Sequence, residues 1–400
     1  MRFASNSGMQ SSWQRRRGAG LVILALAAML CGVPRVTARP SWQDSSTKAA
    51  LQTAQDKKGK ADAQKQARKE RAAEEANQLP AVLWHDPGDI ASRDMIAGEG
   101  GAADAPDPHA DYIFIKEDMN GTSPKFYARD PEGVEWLVKI GVEAKPETAA
   151  ARFVWAMGYF TDEDFFLPQI HVIGLQKLRR KMIGVSLETG MVLNVRLKRQ
   201  GPTLKNVENW DWRNNPFAGT RELRGLLVIM ALMNNWDLKK DNNKVYVADG
   251  ERHFLVSDLG ASFGKTAAPP THIPFIPHAT KGVLKDYRNS RLIRSVSGDS
   301  VTFEMRTAVP FFMRPFGRKY FGEYVQAQRD EEGIPVDAVR WIGALLARLT
   351  PRQIEDAFRA AGYGPNDVQG FAAVVEQRIT QLNHVEPQQI QGQEGPRIRR

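Results

Sequence analysis

Asn234-Asn235-Trp236-Asp237-Leu238-Lys239-Lys240-Asp241-Asn242, followed fifteen residues on by Ser257-Asp258-Leu259-Gly260, is the stretch on which the fold turns. Before it, Leu223 to Met233 is apolar almost all round, the mark of a helix buried in a core rather than lying on a surface. Between its two halves, Phe254-Leu255-Val256 has the composition of a buried strand. A polar loop is thus expected between a rigid helix and a rigid strand, which is how a site is held to tolerance. Asp237 and Asn242 stand five apart, and Asp258 sits at a strand end before glycine. Asp241 competes with Asp237, and Asn243 with Asn242, for the same positions. Each residue alone is an ordinary turn or cap residue; order, spacing and context together point to chemistry. A carboxylate (Asp237) can orient a hydroxyl, while an amide and a carboxylate (Asn242, Asp258) are hard oxygen ligands suited to Mg²⁺.

Working outward, the preceding segment is strand-rich. Tyr112–Ile115 and Lys125–Ala128 are expected strands. After the turn Asp130-Pro131-Glu132-Gly133 comes Val134–Ile140, with Val134, Trp136, Val138 and Ile140 on one face and Leu137 and Lys139 on the other. Further strands are expected around His171–Leu175 and Met191–Val195. Pro146-Glu147 opens a helix, Thr148 to Met157, closed by Gly158. Lys139 is the strand cation suited to binding phosphates, with Glu147 as its helix partner and Glu143 in reserve; the alternative is an exposed strand lysine. No Gly-x-Gly-x-x-Gly loop is present. Asn120-Gly121-Thr122-Ser123-Pro124-Lys125 is either a plain hairpin turn or a loop offering N–H groups, the Thr122 and Ser123 hydroxyls and Lys125 to a phosphate.

Downstream the character is helical. Val339, Ile342, Leu345, Leu346 and Leu349 have helical spacing, and Thr350-Pro351-Arg352-Gln353 is a capping box with proline at the first helical position. A last helix is expected from Val368 to Leu382. Strands first and helices second make an α+β chain with a cleft between two lobes. The expected divisions are a leader over 1–38, a charged helical or disordered spacer over 39–80, a strand-rich lobe over 81–200, a helical lobe over 201–384 and a basic tail over 385–400.

The charge is carried by the ends. The 400 residues have a formal charge of +9, but residues 1–40 hold six arginines and no acid, so without them it falls to +3. A near-neutral body argues against nucleic acid as partner. Arg15-Arg16-Arg17, the apolar run Leu21–Cys31 and Val36-Thr37-Ala38 form a secretory signal pattern. As a helix, Gly18–Pro34 would span roughly 25 Å, short of the ~30 Å hydrocarbon core, so no stable membrane span is expected after cleavage. Export to the periplasm or exterior follows, with a retained N-terminal anchor as the alternative. Cys31 is the single cysteine and lies in that leader, which excludes disulfides, thiol nucleophiles and thiolate metal sites from the rest. The seven histidines show no metal-type spacing. Trp210, Trp212 and Phe217 are packing residues or a sugar- or lipid-contacting surface; Arg196 and Arg221 are structural or phosphate-binding.

Asp237-x-x-x-x-Asn242 with Asp258-Leu259-Gly260 resembles the catalytic loop and metal-binding triplet of protein kinases. With the Gly121-x-x-Pro124-Lys125 turn, Lys139 and Glu147, the set is similar to the atypical group of HipA-type bacterial kinases, phosphatidylinositol 3- and 4-kinases and Fam20-like secretory kinases. The phrases beginning at Asp86, Asn215 and Asn234 resemble exported bacterial proteins carrying such a domain, over roughly residues 82–384. Trp236 departs from the arginine that protein kinases place before the loop aspartate. The resemblance implies a two-lobed kinase-like fold using ATP and Mg²⁺ or Mn²⁺. In it Lys139 holds phosphate with Thr122, Ser123 and Lys125, Glu147 orients Lys139, Asp237 positions the acceptor hydroxyl, and Asn242 and Asp258 bind metal. The acceptor is a protein, sugar or lipid, and oligomeric state is open. The rival expectation is a catalytically inactive scaffold of the cell envelope on the same fold.

Overall fold

A computed structural model of the chain describes residues 74–121, 123–201, 206–265, 279–304 and 333–388, with a few isolated positions before residue 74. The expected leader, most of the spacer, Thr122 and the arginines of the tail lie outside the described residues. The chain divides into Met1–Gln64 and Lys65–Arg400, and all the elements below belong to the second unit.

The α+β class matches the sequence expectation. Five strands close a barrel: β2 (Asp111–Glu117), β3 (Lys125–Arg129), β4 (Glu135–Ile140), β5 (Asp164–Ile173) and β6 (Met191–Gln200), in the order β2-β3-β4-β6-β5. All neighbouring pairs are antiparallel except β2 with β5, which is parallel. Tyr112, Phe126, Trp136, Val138, Ile140, Val195 and Leu197 fill the interior as one apolar core, because alternate residues of each strand point inward. β5 starts at Asp164, well before the expected strand at His171. Pro168 is what hides it, a strand breaker tolerated where β5 meets β6 without a ladder pair at that position.

Between β4 and β5 runs helix α1 (Ala144–Ala156), which begins earlier than expected, with Glu143 at its N-cap and Pro146 in its first turn. Proline costs nothing there, since the first-turn N–H groups have no helical partner. Ala149, Phe153, Val154 and Met157 leave the barrel and join the larger core. That core also takes Leu83, Ile90 and Met95, helix α2 (Arg221–Leu232) and helices α4 (Val336–Leu346), α5 (Pro351–Ala360) and α6 (Pro365–Asn383). A second sheet, in the order β1 (Ala81–Val82), β9 (Glu251–Val256), β8 (Asn243–Ala248), β7 (Asn206–Glu208), lies beside it. A short helix α3 (Leu284–Asn289) precedes a small sheet of β10 (Ile293–Ser297), β11 (Ser300–Phe303) and β12 (Ile334–Pro335).

Local signals act as written. Thr350 and Gln353 form the reciprocal capping box of α5. Trp210 and Trp212 are core residues, and Arg221 lies over the Trp341 ring at 4.6 Å. No described helix is long and apolar enough to cross a membrane.

Candidate active site

The end of α2 sets the loop. Asn234 takes a left-handed conformation (φ +54°). The Asn235 N–H bonds the Met230 carbonyl at 2.8 Å and the Asn234 N–H that of Ala231 at 3.0 Å, closing a Schellman motif. Buried Arg378 caps the same helix end by donating to the Leu232 carbonyl at 2.8 Å. The Asn235 side chain then accepts the Asp237 N–H at 3.0 Å. Asn242 folds back to donate its amide to the Asp237 carbonyl at 2.9 Å, so the five-residue spacing closes a loop on itself. The Ser257 N–H bonds the Asn242 carbonyl at 2.9 Å, tying this loop to the residue before Asp258. The Asp237 carboxylate pairs with Lys239 at 2.7 Å.

Asp258 itself is left-handed (φ +55°, ψ +47°), a conformation that Asp tolerates better than most side chains. The turn is therefore made at Asp258 and not by the glycine two residues later. Gly260 serves another end: a Cβ there would lie 2.7 Å from the Glu143 Cβ. Its lack of a side chain lets the start of α1 approach the end of β9.

Lys139 is the centre of the arrangement. It is only 2% exposed, so the alternative of a solvated strand lysine is excluded. Its ammonium meets Glu147 Oε2 at 2.7 Å, Glu143 Oε2 at 3.2 Å and Asp258 Oδ1 in a shorter contact. Burial opposes its charge, but Glu147, Asp258 and Glu143 outweigh that and raise its pKa above the usual 10.5. Burial likewise opposes ionisation of Asp258, yet Lys139, Arg196 and Lys125 hold it below the ordinary carboxylate range. The carboxylate oxygens of Glu143, Glu147 and Asp258 lie within 4.8 Å of one another, close enough to hold a cation, and the lysine ammonium is the cation among them.

Around this centre sit residues that sequence reasoning placed elsewhere or passed over. Arg196 is structural: 3% exposed, it pairs with Glu147 at 2.9 Å and Asp164 at 3.4 Å. Asp164 is pushed up to about 8 by burial, which Arg196 only partly offsets. Glu143, held in reserve, is a full member; it stands four residues before Glu147, so both face Lys139 from one side of α1. Lys281 pairs with the other Glu143 oxygen and was not singled out, since nothing in its own segment marks it. Ser123 donates to Glu143 Oε2 at 3.0 Å, and Lys125 pairs with Asp118 at 3.4 Å. The structure thus gathers Lys139, Glu147, Asp258, Ser123 and Lys125 near one point, with Asp237 and Asn242 in the adjoining loop.

No family model and no curated protein matches the chain by sequence. Among solved structures it is similar to the Helicobacter pylori proinflammatory kinase CtkA, at 10% identity and a TM-score of 0.37, over 69% of this chain and 97% of that one. It is also similar to the amicoumacin kinase hAmiN, solved with AMP-PNP, Ca²⁺ and Ami, at 10% identity and a TM-score of 0.18, over 69% of this chain and 90% of that one.

Proposed function

We propose that the chain is an exported, kinase-like phosphotransferase that uses ATP with Mg²⁺ or Mn²⁺ on a hydroxyl-bearing acceptor. The observation that carries this reading is Lys139, buried on β4 and shared between Glu147 of α1 and Asp258 at the end of β9. A lysine held by a helix carboxylate and presented beside a strand-end aspartate is the arrangement that positions phosphates for in-line transfer.

In this reading Lys139 binds phosphate oxygens, and Glu147, itself fixed by Arg196, keeps the ammonium in place. Ser123 and Lys125, with Thr122, supply further donors from the β2–β3 loop. Asp237 accepts a hydrogen bond from the acceptor hydroxyl and takes up its proton as that oxygen bonds to the γ-phosphorus and the bond from the γ-phosphorus to the bridging oxygen breaks, ADP leaving with the electron pair. Asp258 is 43% exposed at its side chain, and Asn242 donates its side-chain amide to the Asp237 carbonyl, which leaves its Oδ1 as an acceptor; both are hard donors that fit Mg²⁺. A divalent metal bound there would neutralise charge building on the phosphate oxygens.

The test is incubation of the full chain with ATP and Mg²⁺ or Mn²⁺, measuring hydrolysis, autophosphorylation and adenylylation. Turnover that disappears in Asp258→Ala is expected. No turnover with any metal, or equal turnover in both proteins, refutes the reading.

A further inference from the structure

Three donors from three separate elements converge on one carboxylate, that of Glu143. The Ser123 hydroxyl, from the β2–β3 loop, reaches Oε2 at 3.0 Å. The Lys139 ammonium, from β4, reaches the same oxygen at 3.2 Å. Lys281, from the segment beyond β9, pairs with Oε1. Two of these donors, Ser123 and Lys139, are the groups assigned above to phosphate.

Nothing local calls for Glu143 to point this way. It occupies the N-cap of α1 but makes no side-chain cap, so the helix does not use it. Lys139 does not need it either, since Glu147 and Asp258 already neutralise the ammonium. Lys281, in contrast, is placed firmly. The Thr280, Gly282 and Val283 N–H groups bond the carbonyls of Lys265, Ser262 and Phe263 at 2.9–3.1 Å, and the Lys281 ammonium lies 5.4 Å from the ring centre of Trp236, next to Asp237. Its ammonium is therefore held between the Asp237 loop and the start of α1, and the group it pairs with is an anion.

We infer that the Glu143 carboxylate is an internal stand-in for phosphate, and that Lys281 is a phosphate-binding residue of the site, released to the nucleotide's terminal phosphates when Glu143 is displaced. This rests on the phosphotransferase reading and adds to it a donor and a built-in competitor. A phosphate offers the same donors more charge and more oxygens than a carboxylate, so exchange at one donor set is favourable once the nucleotide arrives. Gly260, beneath the Glu143 Cβ and Cγ, leaves the glutamate side chain its room.

The alternatives differ in sign. If Glu143 merely held Lys139 and Lys281 in place, removing its charge would weaken nucleotide binding; as a competitor, its removal tightens it. The experiment titrates a fluorescent ATP analogue with Mg²⁺ into the full chain and into Glu143→Gln, Lys281→Ala and Lys139→Ala, with folding checked by circular dichroism. Charge-assisted hydrogen bonds of this kind correspond to about tenfold or more in affinity. Glu143→Gln is expected to bind about tenfold more tightly than wild type, and Lys281→Ala about tenfold more weakly. Where Glu143→Gln does not fold, Glu143→Asp, whose carboxylate is drawn back by one methylene, should move affinity the same way. Wild-type binding that depends on Lys139 but is unchanged or weakened in Glu143→Gln, or unchanged in Lys281→Ala, overturns the inference and leaves the phosphotransferase reading standing. If no variant binds nucleotide, that reading falls, and thermal shifts with pyrophosphate decide the anion site. Greater stabilisation of Glu143→Gln than of wild type keeps the inference, and equal or smaller stabilisation ends it. Loss of Mn²⁺ binding in Glu143→Gln without nucleotide would also overturn it, by making Glu143 a metal ligand.

Discussion

Glu147→Gln removes one negative charge from the most enclosed part of the site, and its cost follows from what surrounds it. Glu147 is fully buried and receives Lys139 at 2.7 Å and Arg196 at 2.9 Å. Deleting one partner of a buried ion pair costs about 3–5 kcal/mol, because an uncompensated charge remains in low dielectric. Here neither cation is left alone: Lys139 keeps Glu143 and Asp258, and Arg196 keeps Asp164 at 3.4 Å, whose ionisation the charge of Glu147 no longer opposes. The loss should therefore fall at the low end, about 3 kcal/mol. At about 2–4 °C per kcal/mol for a domain of this size, that is roughly 6–12 °C in melting temperature. Urea unfolding followed by tryptophan fluorescence measures it, with the denaturant slope unchanged if both proteins unfold to the same state. The control is Glu135→Gln, whose exposed pair with Arg129 (51% and 43% exposed) should cost less than about 1 kcal/mol. If Glu147→Gln loses no more stability than Glu135→Gln, the buried cluster does not hold Lys139 as argued.

Three further outcomes are expected. Asp258→Ala should keep its fold but lose metal-dependent stabilisation by nucleotide in a thermal-shift assay, and drop turnover by about 100-fold or more. Glu99, raised from 4.5 to about 8 by burial and then by Glu163 and Asp162, holds its proton more tightly folded than unfolded. Its contribution to stability is thus full below 4.5 and lost as pH rises to about 8, so Glu99→Gln should flatten that part of the stability–pH profile. Gly362 has φ +71°, and a Cβ there would lie 2.0 Å from the Phe166 ring, so Gly362→Ala should lower unfolding free energy by roughly 2–3 kcal/mol.

Much of the frame was legible because the signals are local. The apolar length of Leu223–Met233 announced α2, and the order Thr350-Pro351-x-Gln353 announced α5, since a capping box satisfies its own backbone groups. The period-2 split of Val134–Ile140 put Trp136 and Val138 in the barrel and Lys139 on the opposite face. The start of α1 differs from the expectation because Pro146 marks only a first turn, and here two helical residues, Ala144 and Lys145, precede it. The expected strand His171–Leu175 overlaps only the last three residues of β5, because Pro168 interrupts the pattern before it.

By itself the sequence determined the α+β order of elements and the residue types at the centre, a strand lysine, a helix glutamate and a strand-end aspartate, with a loop aspartate and its asparagine beside them. Each is set by spacing along a few residues. Tertiary structure alone decided their company. Arg196 became the clamp on Glu147, not a phosphate ligand, because β6 pairs with β4 so that Arg196 lies opposite Lys139. Glu143 and Lys281 met across 138 residues because the turn at Asp258 and the ladder from Ser262 to Val283 bring that segment to the start of α1. Contacts of that separation leave no periodic trace in the chain, since they are selected by packing and charge balance and not by local conformation.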